Sequence, residues 1–409
     1  MIILGIETSC DETAVSVVRA TGGLKSPKFS VLAHVVSSQT VLHAPWGGVV
    51  PSLAKREHGR NLVPLLNQAL RKAKLLPKTK GRTFGSKSFK VRPWEVKIKK
   101  ILARELELLE QFLKFIPNVA VPKIDAIAVT RGPGLEPALW AGINFARTLA
   151  LAWDKPLIPV NHMEGHLYSV LAPTKDYPLR SPKGSPLQFP ALGLLVSGGH
   201  TELVLVEGWL KHKLLGATRD DAVGEAFDKV ARLLGLPYPG GPALAKLVAS
   251  ATPSVKGAQH SVLPALPRPM ISSSDFDFSF SGLKTAVLYR VNDLKKQDLF
   301  NDEARLELAT NFQQAVIDVL LTKTLKAIKR YQPKNLIIAG GVSANQELRH
   351  QFTKAIKKLK PRPTLLIPPL KLSTDNATMI AMAGYLRLSQ KPVVARARDW
   401  EASGHLVLK

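Results

Sequence analysis

The chain has 409 residues, 45% of them hydrophobic, enough to bury sizeable cores and long for one domain, so two lobes are expected. No apolar run approaches the roughly 20 residues of a membrane-spanning helix, and one cysteine, Cys10, excludes an intrachain disulfide framework and any multi-cysteine metal cluster. The 57 Lys and Arg against 31 Asp and Glu give a formal charge of +26, which favours a polyanionic partner, nucleic acid first.

Residues 1–7 read as a strand, followed by a polar turn, Thr8-Ser9-Cys10-Asp11-Glu12, and further strands at 13–19 and 29–38. The first strand begins without the basic region of a signal peptide, which predicts a cytoplasmic protein. A helix is predicted from Pro51 to about residue 75, with Leu53, Leu62, Leu65, Leu66 and Leu70 near helical spacing and Pro51 suited to the first turn. Residues 76–119 interrupt this plan as an insertion. Between Arg71 and Lys100 there are twelve Lys or Arg and one acid, Glu95, so the charge is concentrated there. Within the insertion, 101–115 reads as an amphipathic helix through Leu102, Leu106, Leu109 and Leu113. Two readings stand: a nucleic-acid arm with interleaved Phe84, Phe89 and Trp94, or a loop plus a helix covering a hydrophobic patch. Beyond it come a buried strand at 124–130, the turn Arg131-Gly132-Pro133-Gly134, a helix at 136–153 and a strand at 157–160, which is βαβ order.

The second half echoes the first. Strands at 191–196 and 201–207 flank the turn Ser197-Gly198-Gly199-His200, and another lies around Leu214. A buried strand at 335–339 runs into Gly340-Gly341-Val342-Ser343-Ala344-Asn345, with helices predicted at 346–359 and 374–388. An internally duplicated α/β fold follows, with lobes at 1–187 and 188–373, a segment 374–409 returning to the first lobe, and a cleft between the copies.

His162 and His166 are spaced i, i+4 and share one helical face, a metal-ligand spacing. Alone the pair is weak, since histidines so spaced more often sit on a solvated or hydrogen-bonded face. A third, oxygen ligand would complete a two-histidine, one-carboxylate site, and Asp375 is the candidate. Four turns, at 9–12, 197–200, 238–242 and 340–345, have the form that lets backbone N–H groups approach a phosphate. Any one of them is more often a plain turn, but together they point to a nucleotide.

This combination resembles the actin, sugar-kinase and Hsp70 superfamily. Within it the chain is similar to the tRNA threonylcarbamoyladenosine transferase family, the TsaD type of bacteria, long labelled O-sialoglycoprotein endopeptidase. The similarity rests on Gly5-Ile6-Glu7-Thr8-Ser9-Cys10-Asp11-Glu12-Thr13, Gly132-Pro133-Gly134-Leu135, the stretch through His162 and His166, and Val196-Ser197-Gly198-Gly199-His200-Thr201. Gly224-Glu225-Ala226-Phe227-Asp228-Lys229, Phe280-Ser281-Gly282-Leu283-Lys284-Thr285, Gly340 to Asn345 and Ser373-Thr374-Asp375-Asn376-Ala377 extend it over nearly the whole chain apart from the insertion. It implies transfer of the threonylcarbamoyl group of threonylcarbamoyl-AMP to the exocyclic amine of the adenosine 3′ to the anticodon, position 37, in tRNAs reading ANN codons, with release of AMP. It also implies one divalent metal, Fe(II) with Zn(II) as alternative, on His162, His166 and Asp375. Leu195, Val196, Ser197, Gly198, Gly199 and His200 would hold the donor's phosphate and threonylcarbamoyl portions, and Asp228, Gly241 and Asn345 its adenosine. Asp11 and Glu12 are candidates for proton handling or substrate orientation, against a plain turn-forming or capping role. The implied partners are tRNA, a TsaB-type paralogue, a TsaE-type small ATPase and an upstream synthase making the donor, with no membrane.

Three rivals remain at this level: an actin-like ATPase, an RNA-binding scaffold and a metallopeptidase. The last is disfavoured because Met163, not Glu, follows the first histidine, and the nearby acid, Glu164, sits at a different helix angle. Two departures from the family pattern are visible, Glu136-Pro137-Ala138-Leu139-Trp140 after the Gly-Pro-Gly-Leu turn, and the insertion, which follows a helix that bacterial members use to bind the paralogue.

Overall fold

A computed structural model describes residues 1–76, 93–173, 187–250, 263–390 and 400–408. The chain divides into two compact units, the first made of Met1–Gln39, Val49–Pro186 and Asp375–Leu408, the second of Thr40–Gly48 and Leu187–Thr374.

The first unit opens with an antiparallel meander, β1 (Ile2–Glu7), β2 (Glu12–Thr21) and β3 (Lys28–Ser38). After the short helix α1 (Thr40–His43) of the second unit comes α2 (Pro51–Lys72), begun by a proline whose missing N–H costs nothing at a helix start. Helices α3 (Pro93–Ile101) and α4 (Leu106–Phe115) follow, then β4 (Ala126–Gly132), α5 (Glu136–Trp153), β5 (Leu157–Asn161) and α6 (His162–Tyr168). β4 and β5 join parallel to β1, giving the sheet order β3-β2-β1-β4-β5. Ile3, Leu4 and Ile6 have no exposed surface, which explains why β1 reads as a continuous apolar run rather than an alternating one: both faces of the strand are covered.

The helix expected at 101–115 begins later, at Leu106, and a separate helix, α3, precedes it. α3 ends at Ile101, and the chain turns at 102–105 before α4 begins at Leu106. Ile98 and Leu102 bury at one end of this corner and Leu108 and Phe112 at the other, all in the same core as α2 and α5. Apolar spacing continues through the corner although the helix axis does not. Phe112 meets Phe145 of α5 edge to face at 6.2 Å, and Trp94 packs half-buried on the same core. The described part of the insertion therefore covers a hydrophobic patch, while Phe84 and Phe89 lie outside the described residues.

The second unit repeats the plan with β6 (Ala191–Val196), β7 (Thr201–Gly208) and β8 (Lys211–Ala217) as a meander, then α7 (Val223–Leu233), α8 (Gly240–Ala249), α9 (Ser281–Lys296) and α10 (Asp302–Tyr331). β9 (Asn335–Ala339), α11 (Gln346–Lys357) and β10 (Thr364–Leu366) complete it, with β9 parallel to β6 and β10 parallel to β9. Its order, β8-β7-β6-β9-β10, is the order of the first sheet position for position. The duplicated α/β topology expected of an actin-like protein is present. Phe227, Phe280, Phe312 and Phe352 are buried in its helical core.

The final helix, α12 (Ala377–Gln390), belongs to the first unit and lies across β1, β2, β4 and β5. Gly5 lets it approach: a Cβ there would stand 2.1 Å from the carbonyl oxygen of Ala377. Among the described residues no helix is long and apolar enough to cross a membrane.

Candidate metal centre

Helix α6 is seven residues long and wholly buried. Asn161, the last residue of β5, caps it: in an extended conformation, its Oδ1 accepts the backbone N–H groups of Met163 at 2.9 Å and Glu164 at 3.3 Å. One turn on, the rings of His162 and His166 stand edge to face with centroids 4.6 Å apart. Asp375, two residues before α12, completes the group. Its Oδ1 lies 3.3 Å from His162 Nε2 and 3.1 Å from His166 Nε2. One ligand atom from each of the three residues fits within 4.8 Å of the others.

Behind His162 stands Glu7, the last residue of β1, with no exposed surface. Its Oε1 accepts the Ser9 N–H at 2.6 Å, and its Oε2 accepts the Thr130 hydroxyl at 2.6 Å and faces His162 Nδ1 at 3.0 Å. Ser9 Oγ lies 3.2 Å from the same nitrogen. A ring nitrogen facing a carboxylate keeps its proton, so Nε2 is the nitrogen His162 would offer a cation, and it is directed at the point shared with Asp375. His166 Nδ1 has no hydrogen-bond partner among the described residues, which leaves Nε2 as its anchored nitrogen. Two imidazoles and a carboxylate, converging in a buried place with a carboxylate bracing one of them, fit a divalent metal.

The charges agree. Burial opposes a charged His162, yet Asp375 and Glu7 together hold its pKa well above the ordinary imidazole value. For His166 burial dominates and pushes the pKa below that value. Burial also opposes an ionised Asp375, but the two histidines keep it well below the usual carboxylate range, the form in which a carboxylate can ligate.

Asp11 and Glu12 lie at the β1–β2 turn of the same unit. Burial, followed by the charges of Asp11 and Asp375, pushes the Glu12 pKa well above the carboxylate range, and Glu12 is hydrogen-bonded to Asp11. The pair offers a protonated carboxyl beside an acceptor, near Asp375.

The remaining predicted residues belong to the second unit. Leu195 and Val196 end β6 with fully buried side chains. Ser197 and His200 close a tight turn: Ser197 N–H donates to the His200 carbonyl at 2.8 Å, and His200 N–H to Ser197 Oγ at 3.1 Å. A Cβ at Gly198 or Gly199 would meet nothing within 4 Å, so their backbone lies open. The first turn of α7 abuts this hairpin, where Gly224 N–H donates to the Ser197 carbonyl at 3.1 Å. Asp228 Oδ1 accepts the N–H groups of Gly240 at 2.7 Å and Gly241 at 3.3 Å. Asp228 and Gly241 are thus directly bonded, and a cavity of about 400 Å³ lies between Asp228, Arg232, Tyr238, Gly240 and the Trp46–Gly47 turn. Asn345 caps α11 by accepting the Leu348 N–H at 3.0 Å and donates its amide to Gln313 at 2.7 Å, so both ends of its side chain are engaged.

Two features escape sequence reasoning. Glu7 had one signal, an acid ending an otherwise apolar strand. The second is Arg387 of α12, whose Nε and Nη2 clasp the buried Glu164 carboxylate at 2.9 and 2.5 Å. They lie 223 positions apart in the sequence, so no local pattern links the two. The clasp ties α6 to α12, the elements bearing or flanking all three ligands, and it turns Glu164 away from the role of a peptidase base.

A duplicated α/β fold, with two sheets of one strand order and a His–His–Asp set that could hold a metal ion, defines the class of protein. The sequence model of the family TsaD, tRNA N6-adenosine threonylcarbamoyltransferase, matches residues 30–80 and 98–382. The chain belongs to that family. A tRNA N6-adenosine threonylcarbamoyltransferase of Bordetella petrii is 42% identical over 95% of this chain and 91% of its own length. Those of Persephonella marina and Ralstonia pickettii are 41% and 42% identical, over 95% and 96% of this chain and 91% and 93% of theirs. The internal stretch outside the match, 81–97, is narrower than the insertion expected at 76–119: α4 and the end of α3 fall within the family match.

Proposed function

We propose that this protein transfers the threonylcarbamoyl group of threonylcarbamoyl-AMP to the N6 amine of adenosine 37 in tRNAs reading ANN codons, releasing AMP. The observation that carries this reading is the convergence of His162, His166 and Asp375 with Glu7 behind them, in a chain of this family. His162, His166 and Asp375 hold a divalent metal, Fe(II) or else Zn(II), which when bound supplies Lewis-acid polarisation of the acyl carbonyl. Glu7 fixes the tautomer of His162, and Asp375 neutralises part of the added charge. Gly198 and Gly199 present backbone N–H groups to the donor's phosphate in the turn that Ser197 and His200 close, Leu195 and Val196 set the direction of that turn, and Asp228, Gly241 and Asn345 position the adenosine end. Because the amine is a poor nucleophile, proton removal matters. Asp11 accepts the proton the amine loses, and the protonated Glu12 orients the acceptor by hydrogen bonding. The reading includes cytoplasmic action with a TsaB-type paralogue, a TsaE-type ATPase and a separate synthase for the donor.

Reconstitution with unmodified tRNA, threonylcarbamoyl-AMP and these partners, followed by nucleoside mass analysis beside His166→Ala, tests it. The intact protein is expected to yield threonylcarbamoyladenosine and the variant at least roughly a thousandfold less, the equivalent of about 4 kcal/mol of transition-state stabilisation. Specific tRNA binding without modification under any partner set would instead favour an RNA-binding scaffold.

A further inference from the structure

Residues 400–408 lie back on the first unit and make contacts that the chemistry so far does not use. At one end, the Arg147 guanidinium sits between the rings of Trp140 and Trp400, 5.3 Å from each centroid, and donates to the Trp400 carbonyl at 2.6 Å. Trp400 is buried in the hydrophobic core of the first unit. The segment then runs along the turn after β4: Arg131 Nε donates to the Glu401 carbonyl at 2.8 Å, Ser403 N–H to the Arg131 carbonyl at 3.0 Å, and Gly134 N–H to the Gly404 carbonyl at 3.2 Å. The approach requires glycine, since a Cβ at Gly132 would stand 1.9 Å from the Ser403 oxygen. At the far end, Asn161 Nδ2 donates to the Leu406 carbonyl at 3.3 Å.

Two routes lead from this segment to one ligand. Through Leu406, it fixes which way the Asn161 amide faces, and the Oδ1 of that amide caps α6 one residue before His162. Through Gly404, it holds Gly134, whose neighbour Leu135 donates its N–H to the Ser9 carbonyl at 2.8 Å, and Ser9 Oγ touches His162 Nδ1. We propose that residues 400–408 form a positioning strap for the metal centre, holding His162 in its ligating orientation through Asn161 and Ser9. This rests on the metal reading given above. None of the strap's own groups reaches the ligand atoms, so its effect is on how well the site is preorganised.

The test is a Co(II) titration of the metal-free protein followed by visible absorption, whose bands report coordination geometry, with a thermal melt recorded alongside. A chain ending at Ser403 keeps the Trp400 clamp and loses Gly404 and Leu406. It is expected to bind Co(II) about tenfold more weakly, at the lower end for outer-shell partners, with an altered spectrum. Trp400→Ala is expected to do the same and Trp400→Phe, which keeps an aromatic face for Arg147, to restore binding. Should the shortened chain fail to fold, the two Trp400 variants decide. Equal affinity and spectrum in a folded truncated or Trp400→Ala protein would overturn the strap alone. Failure of the intact protein to bind Co(II) would overturn the metal reading and the strap with it.

Discussion

The β1–β2 and β6–β7 hairpins occupy the same position in two sheets of the same strand order, and they have been filled in opposite ways. The first carries Glu7, Ser9, Asp11 and Glu12, with Glu7 and Ser9 meeting His162. The second carries Ser197, Gly198, Gly199 and His200, a turn that the Ser197 hydroxyl helps to close and whose glycines leave backbone open. A duplicated scaffold fixes where a turn sits and not what it does. In the proposed reading, side-chain charge at one copy serves a metal and the open backbone of Gly198 and Gly199 at the other serves an anion.

Glu202 offers the sharpest way to challenge this contrast, because it is an acid placed at the second hairpin. It follows Thr201 at the start of β7, burial pushes its pKa from 4.5 to about 7, and its Oε2 has no partner among the described residues. Because its folded pKa lies above the unfolded value, the stability tied to its neutral form is complete below about 4.5. That stability is lost as pH rises through about 7 and is constant beyond. The total is about 3 kcal/mol. Glu202→Gln is expected to remove most of this slope, read as denaturant midpoints at pH 5 and pH 8. If the wild type showed no fall in stability over that interval, the second hairpin would tolerate charge and the contrast would weaken.

At the first hairpin, Glu7→Gln keeps shape and removes charge. Metal affinity is expected to fall by about 10- to 100-fold, measured by metal titration, with the fold retained. An unchanged affinity would mean that the charge of Glu7 serves β1 and β4, through Ser9 and Thr130, rather than His162.

The smallest effect is assigned to Asn345, where both ends of the amide are engaged in structure. Asn345→Ala is expected to cost about 1 kcal/mol of stability as a lost helix cap and to leave metal binding unchanged. If donor KM rises by more than the stability loss explains, Asn345 contacts the nucleoside as well as capping α11.

Elements that local physics determines are legible in the amino-acid sequence. The 18 residues of α5, the runs of β6 and β9, and the i, i+4 pair on α6 announce themselves through period, length and flanking turns. Three kinds of information are not legible there. Apolar spacing carries no record of direction, so the corner between α3 and α4 is hidden while Leu102 and Leu108 keep the pattern going. A contact such as Glu164 with Arg387 leaves no trace in a local window. The role of Glu7 depends on which histidine lies behind its strand, which is decided by the pairing of β1 with β4 and of β4 with β5.

His166 and Asp375 are separated by 209 residues, and this spacing sets a clock on biosynthesis. At about 5–20 residues per second, a ribosome needs on the order of ten to forty seconds to add the carboxylate after the histidines have been made. Through that interval the nascent chain displays an imidazole pair without its acid, a weak and unselective ligand. In the proposed reading, metal selection is thereby deferred until α12 docks on its sheet, and loading reports that the first lobe has been completed.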